Sequence, residues 1–381
     1  MRLCDATMFW SAAGGGVRRY LEHKRAWLGG LPGDVRHLLL IPGAGSSLVT
    51  DGMLSTATVR SPSLFFSPGY RTPVSLGPAL AFLEEWKPDL AEGGCPFRLR
   101  KALSVWSRDS GRPVFDYYHA FFPLSYTEAL FGARRSALRS ALEKAGWAYL
   151  RSVYADSRRV FVASPLVRDV LASRGIVNTE LAPLGVDTGL FRPGAPREGD
   201  PVILFVGRLT REKGFETVLE AFSILSRRRR AKLVVVGDGI MRERALEAAR
   251  LDPGVSYLRF LDPGRLAGVY REASVLLSAA PAETLGLTFL EALASGVPVV
   301  GLAGSGLMDT FPADISRAVG QASPEALAEA VAGLLDDPPD PAACRSHAEG
   351  YSWPGRLAHI AGRELALAGM EVPGWIGEMH E

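Results

Sequence analysis

Several short runs of this chain are apolar at consecutive positions through their centres: "PVILFVG" (201–207), "AKLVVVGDG" (231–239), "SVLLSAA" (274–280) and "VPVVGLAG" (297–304). A strand with one wet face alternates apolar and polar residues. These do not, so both faces must be covered, which happens where helices cross over a parallel sheet. "RHLLLIP" (36–42), "PVFDYYHAFF" (113–122), "RRVFVAS" (158–164) and "VSYLRFL" (255–261) extend the series. Helix-period stretches such as "FETVLEAFSILSRRRR" (215–230) and "MRERALEAAR" (241–250) lie between strands. The fold class is therefore α/β, built of parallel βαβ units.

A length of 381 residues suggests two such domains. The stretch "LGVDTGLFRPGAPREGDP" (184–201) is rich in Gly, Pro and charge, has no period and leads into a new strand. It places a boundary near residue 195, giving domains 1–195 and 196–360. After "DDPPDP" (336–341), the segment "YSWPGRLAHIAGRELALAG" (351–369) reads as a helix, and residues 361–381 form a tail. Residues 43–78 are turn-rich and resist assignment. Residues 128–155, "EALFGARRSALRSALEKAGWAYLRSVYA", form a basic helical pattern with two readings: helices packed on the domain, or a surface that meets anionic lipid.

The balance of 43 Lys and Arg against 41 Asp and Glu argues against a partner held by a strong basic field, so nucleic acid is not expected. The three cysteines are scattered, with neither CxxC spacing nor a His-rich cluster, which points to reduced thiols and no zinc site. Asp5 interrupts any signal-peptide core, and no apolar run reaches the roughly 18 residues that span a bilayer. A cytoplasmic protein is expected, with contact at the inner face of the membrane left open.

Three stretches carry chemistry. "GGGVRRYLEHK" (14–24) follows a short strand and opens a helix, so the amides around Gly15 and Gly16 meet the positive end of a helix dipole. A plain tight turn reads equally well, and the GxGxxG fingerprint is absent. In "VGRLTREKGFETVLEAF" (206–222), a strand ends at Gly207, and Arg208 and Lys213 precede a helix. Two cations at the carboxyl end of a parallel strand suit a diphosphate, although solvated loop cations would look the same. In "PAETLGLTFLEALASGVPVV" (281–300), Glu283 stands in a loop and Glu291 in a helix starting near Gly286, Leu287 and Thr288. Carboxylates suit hydroxyl pairs, and the helix amides suit a phosphate; each glutamate alone also suits the dipole.

Three further features are weaker. "VGDGIMRER" (236–244) is a strand–glycine–helix junction in which Asp238 and Gly239 suit a nucleotide. His119 follows "PVFDYY" at a strand's end, where a packed histidine reads equally well. "SRRRRAKL" (226–233) reads as basic residues complementing a helix terminus.

Together these stretches resemble the family 4 retaining glycosyltransferases of the GT-B fold. The resemblance rests on "GGV" (15–17), "KPDLAE" (87–92), "YYHAFFP" (117–123), "PLGVDTGLFRP" (183–193), "VGRLTREKG" (206–214), "VVVGDG" (234–239), "ETLGLTFLEALASGVPVV" (283–300) and "YSW" (351–353). The Arg/Lys pair followed by Glu-x7-Glu is its most specific part. It implies two Rossmann-like doubly wound domains facing a central cleft, acceptor-binding first and nucleotide-sugar-binding second, with the tail returning to the first domain.

The implied reaction is retaining transfer of a hexose from a UDP- or GDP-linked donor to a hydroxyl on a lipid or glycan, with no metal or other cofactor. Arg208 and Lys213 would stabilise the diphosphate, Glu283 the sugar hydroxyls and Glu291 the ribose. Gly15, Gly16, Gly207, Asp238, Gly239, Gly286, Leu287 and Thr288 would complete the donor site. His119 would reach the donor sugar from the acceptor side, with Arg18 and Arg19 near the acceptor. The chain departs from the pattern at Leu285, where phenylalanine is usual, and at "GSGLMD" (304–309), which replaces a Gly-Gly-x-x-Glu turn. Ala120 and Phe121 replace the Thr and Asp of the lipid-acceptor branch. The rival readings are a GT-B epimerase, which needs no acceptor, and a catalytically silent partner subunit.

Overall fold

The computed structural model describes residues 1–10, 15–32, 34–64, 67–124, 127, 136–195 and 198–377. Gly14 of the glycine loop, residues 128–135 of the basic segment and 378–381 of the tail lie outside the described residues. The chain forms two compact units, Met1–Ala182 with Leu357–Glu381, and Pro183–Arg356.

In the first unit the described strands are β1 (Arg2–Ala6), β2 (Arg36–Gly43), β3 (Ser47–Asp51), β4 (Leu54–Arg60), β5 (Ser63–Leu64), β6 (Ser67–Arg71), β7 (Leu90–Gly93), β8 (Val114–Tyr118), β9 (Val160–Val162) and β10 (Thr179–Leu181). The main sheet runs β10-β9-β8-β7-β1-β2-β4-β3. It is parallel except at its edge, where β3 folds back antiparallel on β4. Strands β5 and β6 form a separate antiparallel pair. The segment that resisted assignment from sequence thus holds two antiparallel pairs. Its β4 alternates between buried and half-buried positions, so the both-faces-apolar signal is missing there.

The second unit contains β11 (Val202–Val206), β12 (Lys232–Val236), β13 (Val255–Leu258), β14 (Val275–Leu277), β15 (Val299–Leu302) and β16 (Ser316–Val319). They form a parallel sheet in the order β13-β12-β11-β14-β15-β16. That order reverses between β11 and β14, the crevice where doubly wound sheets bind their ligands. Ile203, Phe205, Val235, Val275 and Val300 from the strands pack with Phe215, Val218, Phe222, Leu327 and Val331 from the helices Phe215–Ser226 and Pro324–Asp336. Burial of this kind stabilises by about 25 cal/mol per Å² of apolar surface.

The helix Phe215–Ser226 ends before the arginine run, so these residues do not form its last turn. Arg228 and Arg229 pair instead with Glu329 and Asp336 on the surface. Composition puts the boundary at 195, whereas the compact units divide after Ala182. The reason is that Leu184, Val186 and Phe191 are buried. Val186 pairs with Ser352, and Arg345 donates to the carbonyls of Thr188 and Phe191, all within the second unit. The tail helix Trp353–Ala368 belongs to the first unit from Leu357 onward.

Candidate active site

Strands β11 and β14 are neighbours, so the loops leaving their carboxyl ends emerge side by side. After β11 the chain makes a 3-10 turn, Arg211–Lys213, closed by Gly214 at φ 66. A Cβ there would lie 2.3 Å from the Ala279 carbonyl oxygen at the end of the neighbouring β14 segment, so only glycine allows the approach. Lys213 is thereby set against the segment that carries Glu283, and its Nζ donates to Glu283 Oε1 at 2.5 Å. Both side chains keep about a fifth of their surface open, 21% and 18%. Sequence positions 70 residues apart thus meet at the switch point of the sheet.

Glu283 is fixed through its backbone as well. The "GSGLMD" turn supplies Ser305, whose buried hydroxyl donates to the Ala280 carbonyl and accepts from the Glu283 amide at 3.2 Å. Gly306, at φ 58, donates to the Glu283 carbonyl at 3.0 Å, and a Cβ on it would strike the Leu285 carbonyl. The departure from the family pattern therefore places a side-chain hydroxyl under Glu283. Sequence reading missed Ser305; its position within the replaced turn was the available signal.

Gly286, at φ 84, caps the helix Leu287–Ala294. The first amides of a helix have no acceptor within it, so Leu287 and Thr288 present N–H groups at its positive end. Glu291 lies one turn further in and is 3% exposed. Tyr270, from the helix Pro263–Glu272, donates to Glu291 Oε2 at 2.9 Å. Arg208 stays outside this set: its side chain is 69% exposed and pairs with Glu212 at 2.6 Å.

The loops after β11 and β12 interlock by backbone hydrogen bonds, Gly207 to the Val236 carbonyl, Leu209 to that of Asp238, and Met241 to that of Leu209. This packs Gly207 and Gly239 into one shelf. Asp238 receives both Nε and Nη2 of Arg259, and those hydrogen bonds hold its carboxyl below the usual range.

The first unit carries the remaining sequence-predicted residues. Gly15, at φ 129, precedes the helix Gly16–Gly29, and the space beside it is open. On that helix Arg18 pairs with Glu22 and lies over the Trp10 ring at 5.1 Å. Arg19 is half-buried one residue on. His119 leaves the end of β8 and stacks on Tyr117, with ring centroids 4.4 Å apart, and lies 5.4 Å from Tyr20 of the same helix. Its Nε2 is buried and makes no hydrogen bond among the described residues. Burial drives its pKa down to about 3, so the ring is neutral at physiological pH.

Beneath these residues lies a sealed polar cluster that the sequence did not reveal. Lys24 Nζ donates to Asp5 Oδ1 and Glu92 Oε2, both at 2.9 Å, and stands 4.0 Å from Glu364 Oε2. His37 bonds the other Asp5 oxygen, and Tyr20 donates to Glu92. Burial would raise the Asp5 carboxyl, but Lys24 and His37 outweigh it and hold it at about 2. Burial raises the Glu92 carboxyl and pushes that of Glu364 well above the usual range, which favours its protonated form.

Comparison with known proteins fits this arrangement. The model described as "Glycosyltransferase Family 4" matches residues 14–190, and "Glycosyl transferases group 1" matches residues 188–350. The chain is 28% identical, over 97% of both sequences, to the GDP-mannose-dependent alpha-(1-6)-phosphatidylinositol dimannoside mannosyltransferase of Mycobacterium tuberculosis. It is 30% identical to the alpha-monoglucosyldiacylglycerol synthase of Streptococcus pneumoniae over 58% of this chain and 53% of that one. In fold it is similar to a sucrose-phosphate synthase from Thermosynechococcus elongatus, with a TM-score of 0.76 and 20% identity over 97% of this chain and 100% of the other. The two family models meet end to end over both units, and the protein belongs to the family 4 glycosyltransferases, enzymes of the GT-B fold that use a nucleotide sugar.

Proposed function

We propose that this enzyme moves a hexose from GDP or UDP to a hydroxyl on a lipid or glycan, with retention at the anomeric carbon and without a metal. The observation that carries the reading is the Lys213–Glu283 contact across β11 and β14. It sets a cation suited to a diphosphate beside a carboxylate suited to sugar hydroxyls, at the sheet's switch point. In this reading Lys213 and Arg208 balance the charge that grows on the leaving diphosphate. The amides of Leu287 and Thr288 add fixed donors, a kind of contribution worth about 10²–10³ in rate per group. Glu283 orients the sugar and Glu291 the ribose. The neutral His119 offers its Nε2 to a sugar hydroxyl, and Arg18 and Arg19 serve the acceptor.

A lipid-borne acceptor is supported by two relatives whose names specify lipid acceptors or products. The helix Ala137–Tyr154 adds to this, because it exposes Leu138 and Leu142 among basic residues while burying Trp147, Leu150 and Tyr154. No helix among the described residues is long and apolar enough to cross a membrane. Vesicles containing anionic lipid should therefore bind the protein more tightly than neutral ones.

The reading is tested by incubating the enzyme with GDP- and UDP-hexoses and detergent-dispersed glycolipid, in EDTA, and following the product by NMR. An α-linked product from an α-linked donor is expected. An inverted product, turnover that needs added Mg²⁺, or nucleotide release indifferent to acceptor would overturn it.

A further inference from the structure

We propose that Tyr270 is a positioning residue that fixes the ribose carboxylate; this rests on the ribose reading of Glu291. Glu291 is almost completely buried, and an ionised carboxylate in such a place needs donors on its oxygens. The Tyr270 hydroxyl, itself fully buried, supplies one to Oε2 at 2.9 Å and lies 3.3 Å from the Thr288 carbonyl. A phenol held edge-on by Phe191, with centroids 5.5 Å apart and planes at 87°, has little freedom to swing. Tyrosine and glutamate stand on different helices, Pro263–Glu272 and Leu287–Ala294, so the hydrogen bond fixes the carboxylate from outside its own helix.

The consequence is directional. With Oε2 engaged by the phenol, the rotation of the carboxylate is set and its remaining lone pairs keep fixed directions. A vicinal diol needs two acceptor directions at once, whereas a lone hydroxyl or a phosphate does not. Tyr270 therefore acts on recognition of the ribose and leaves the diphosphate and the transferred sugar alone. Because a 2′,3′-dideoxy nucleotide lacks both hydroxyls, it isolates that contribution.

The experiment measures binding of GDP and UDP, each against its 2′,3′-dideoxy counterpart, to the wild-type enzyme and to Tyr270→Phe. The wild type is expected to prefer the ribonucleotide by about tenfold or more, the size of a lost hydrogen bond to a charged group. In Y270F the preference should fall to within about threefold, while dideoxy binding stays within about twofold of wild type. A wild-type preference that persists in full in Y270F overturns the role of Tyr270. If the wild type binds both forms alike, the ribose reading of Glu291 fails first, and this proposal with it.

Should Y270F not fold, Phe191→Leu decides: it keeps the phenol hydroxyl but removes the ring edge that holds it, so the ribonucleotide preference should shrink while dideoxy binding stays within about twofold of wild type. A preference retained in full would overturn the positioning role of Tyr270.

Discussion

Both units hold a lysine against carboxylates, in opposite settings. Lys24 is 3% exposed, with Asp5, Glu92 and Glu364 packed around it between β1, β7 and two helices. Lys213 meets Glu283 at the open ends of β11 and β14, with part of each side chain in solvent. A sealed charge set must be balanced by the protein itself, because no ligand can reach it, and so it holds structure. An open pair at strand ends can exchange one partner for a ligand. Similar residue types therefore serve architecture in one place and chemistry in the other.

The strongest way to break this comparison is to remove each lysine and read stability. Lys24→Met leaves Asp5 and Glu92 without their cation and should cost about 3–5 kcal/mol in urea unfolding. Lys213→Met should cost less than about 1 kcal/mol, because its pair is part-exposed. Equal losses would abolish the distinction. Turnover should reverse the order: Lys213→Ala is expected to lower kcat by about 10²–10³-fold while the melting temperature moves by only a few degrees.

The pH dependence sharpens the contrast. Glu364 binds its proton more tightly folded than unfolded, since burial raises its pKa. Its contribution is complete below the unfolded value of about 4.3 and is lost as the pH rises toward the folded value. Glu364→Gln mimics the protonated form and cannot titrate. Its stability should therefore gain on wild type as the pH rises above the unfolded value. Parallel stability curves would show that Glu364 is ionised in the fold. At the small end, Glu212→Ala removes a half-buried i,i+4 partner of the exposed Arg208 and should change stability by no more than about 1 kcal/mol, read by the same urea titration.

Five strands of the second unit's sheet were legible from their short apolar runs, whereas the edge strand β16, which carries Ser316 and Arg317, offered no such run and was missed. The segments "PVILFVG" and "SVLLSAA" became β11 and β14 within a residue or two at most ends. Lys213 and Glu283 were legible as types in an ordered motif, but their contact depends on the strand order, which no local window encodes. Lys24 was unreadable for a related reason. In "VRRYLEHK" it reads as one of several helix-surface cations, and its burial comes from Asp5, Glu92 and the distant Glu364. Tyr270 and Ser305 act through single long-range hydrogen bonds, which leave no periodic trace. The 184–195 stretch has the composition of a linker, yet it is anchored by Phe191 and the Arg345 hydrogen bonds.

The central claim is that the open pair at β11 and β14 grips the donor, with Glu283 on the transferred sugar. Calorimetric titration of GDP and GDP-hexose, with the uridine pair in parallel, into wild type and Glu283→Gln tests it most directly. Free diphosphate should bind the variant at least as tightly as wild type, because Lys213 loses a competing carboxylate, while the nucleotide sugar should bind about tenfold more weakly. Equal binding of the nucleotide sugar to both proteins would contradict the account.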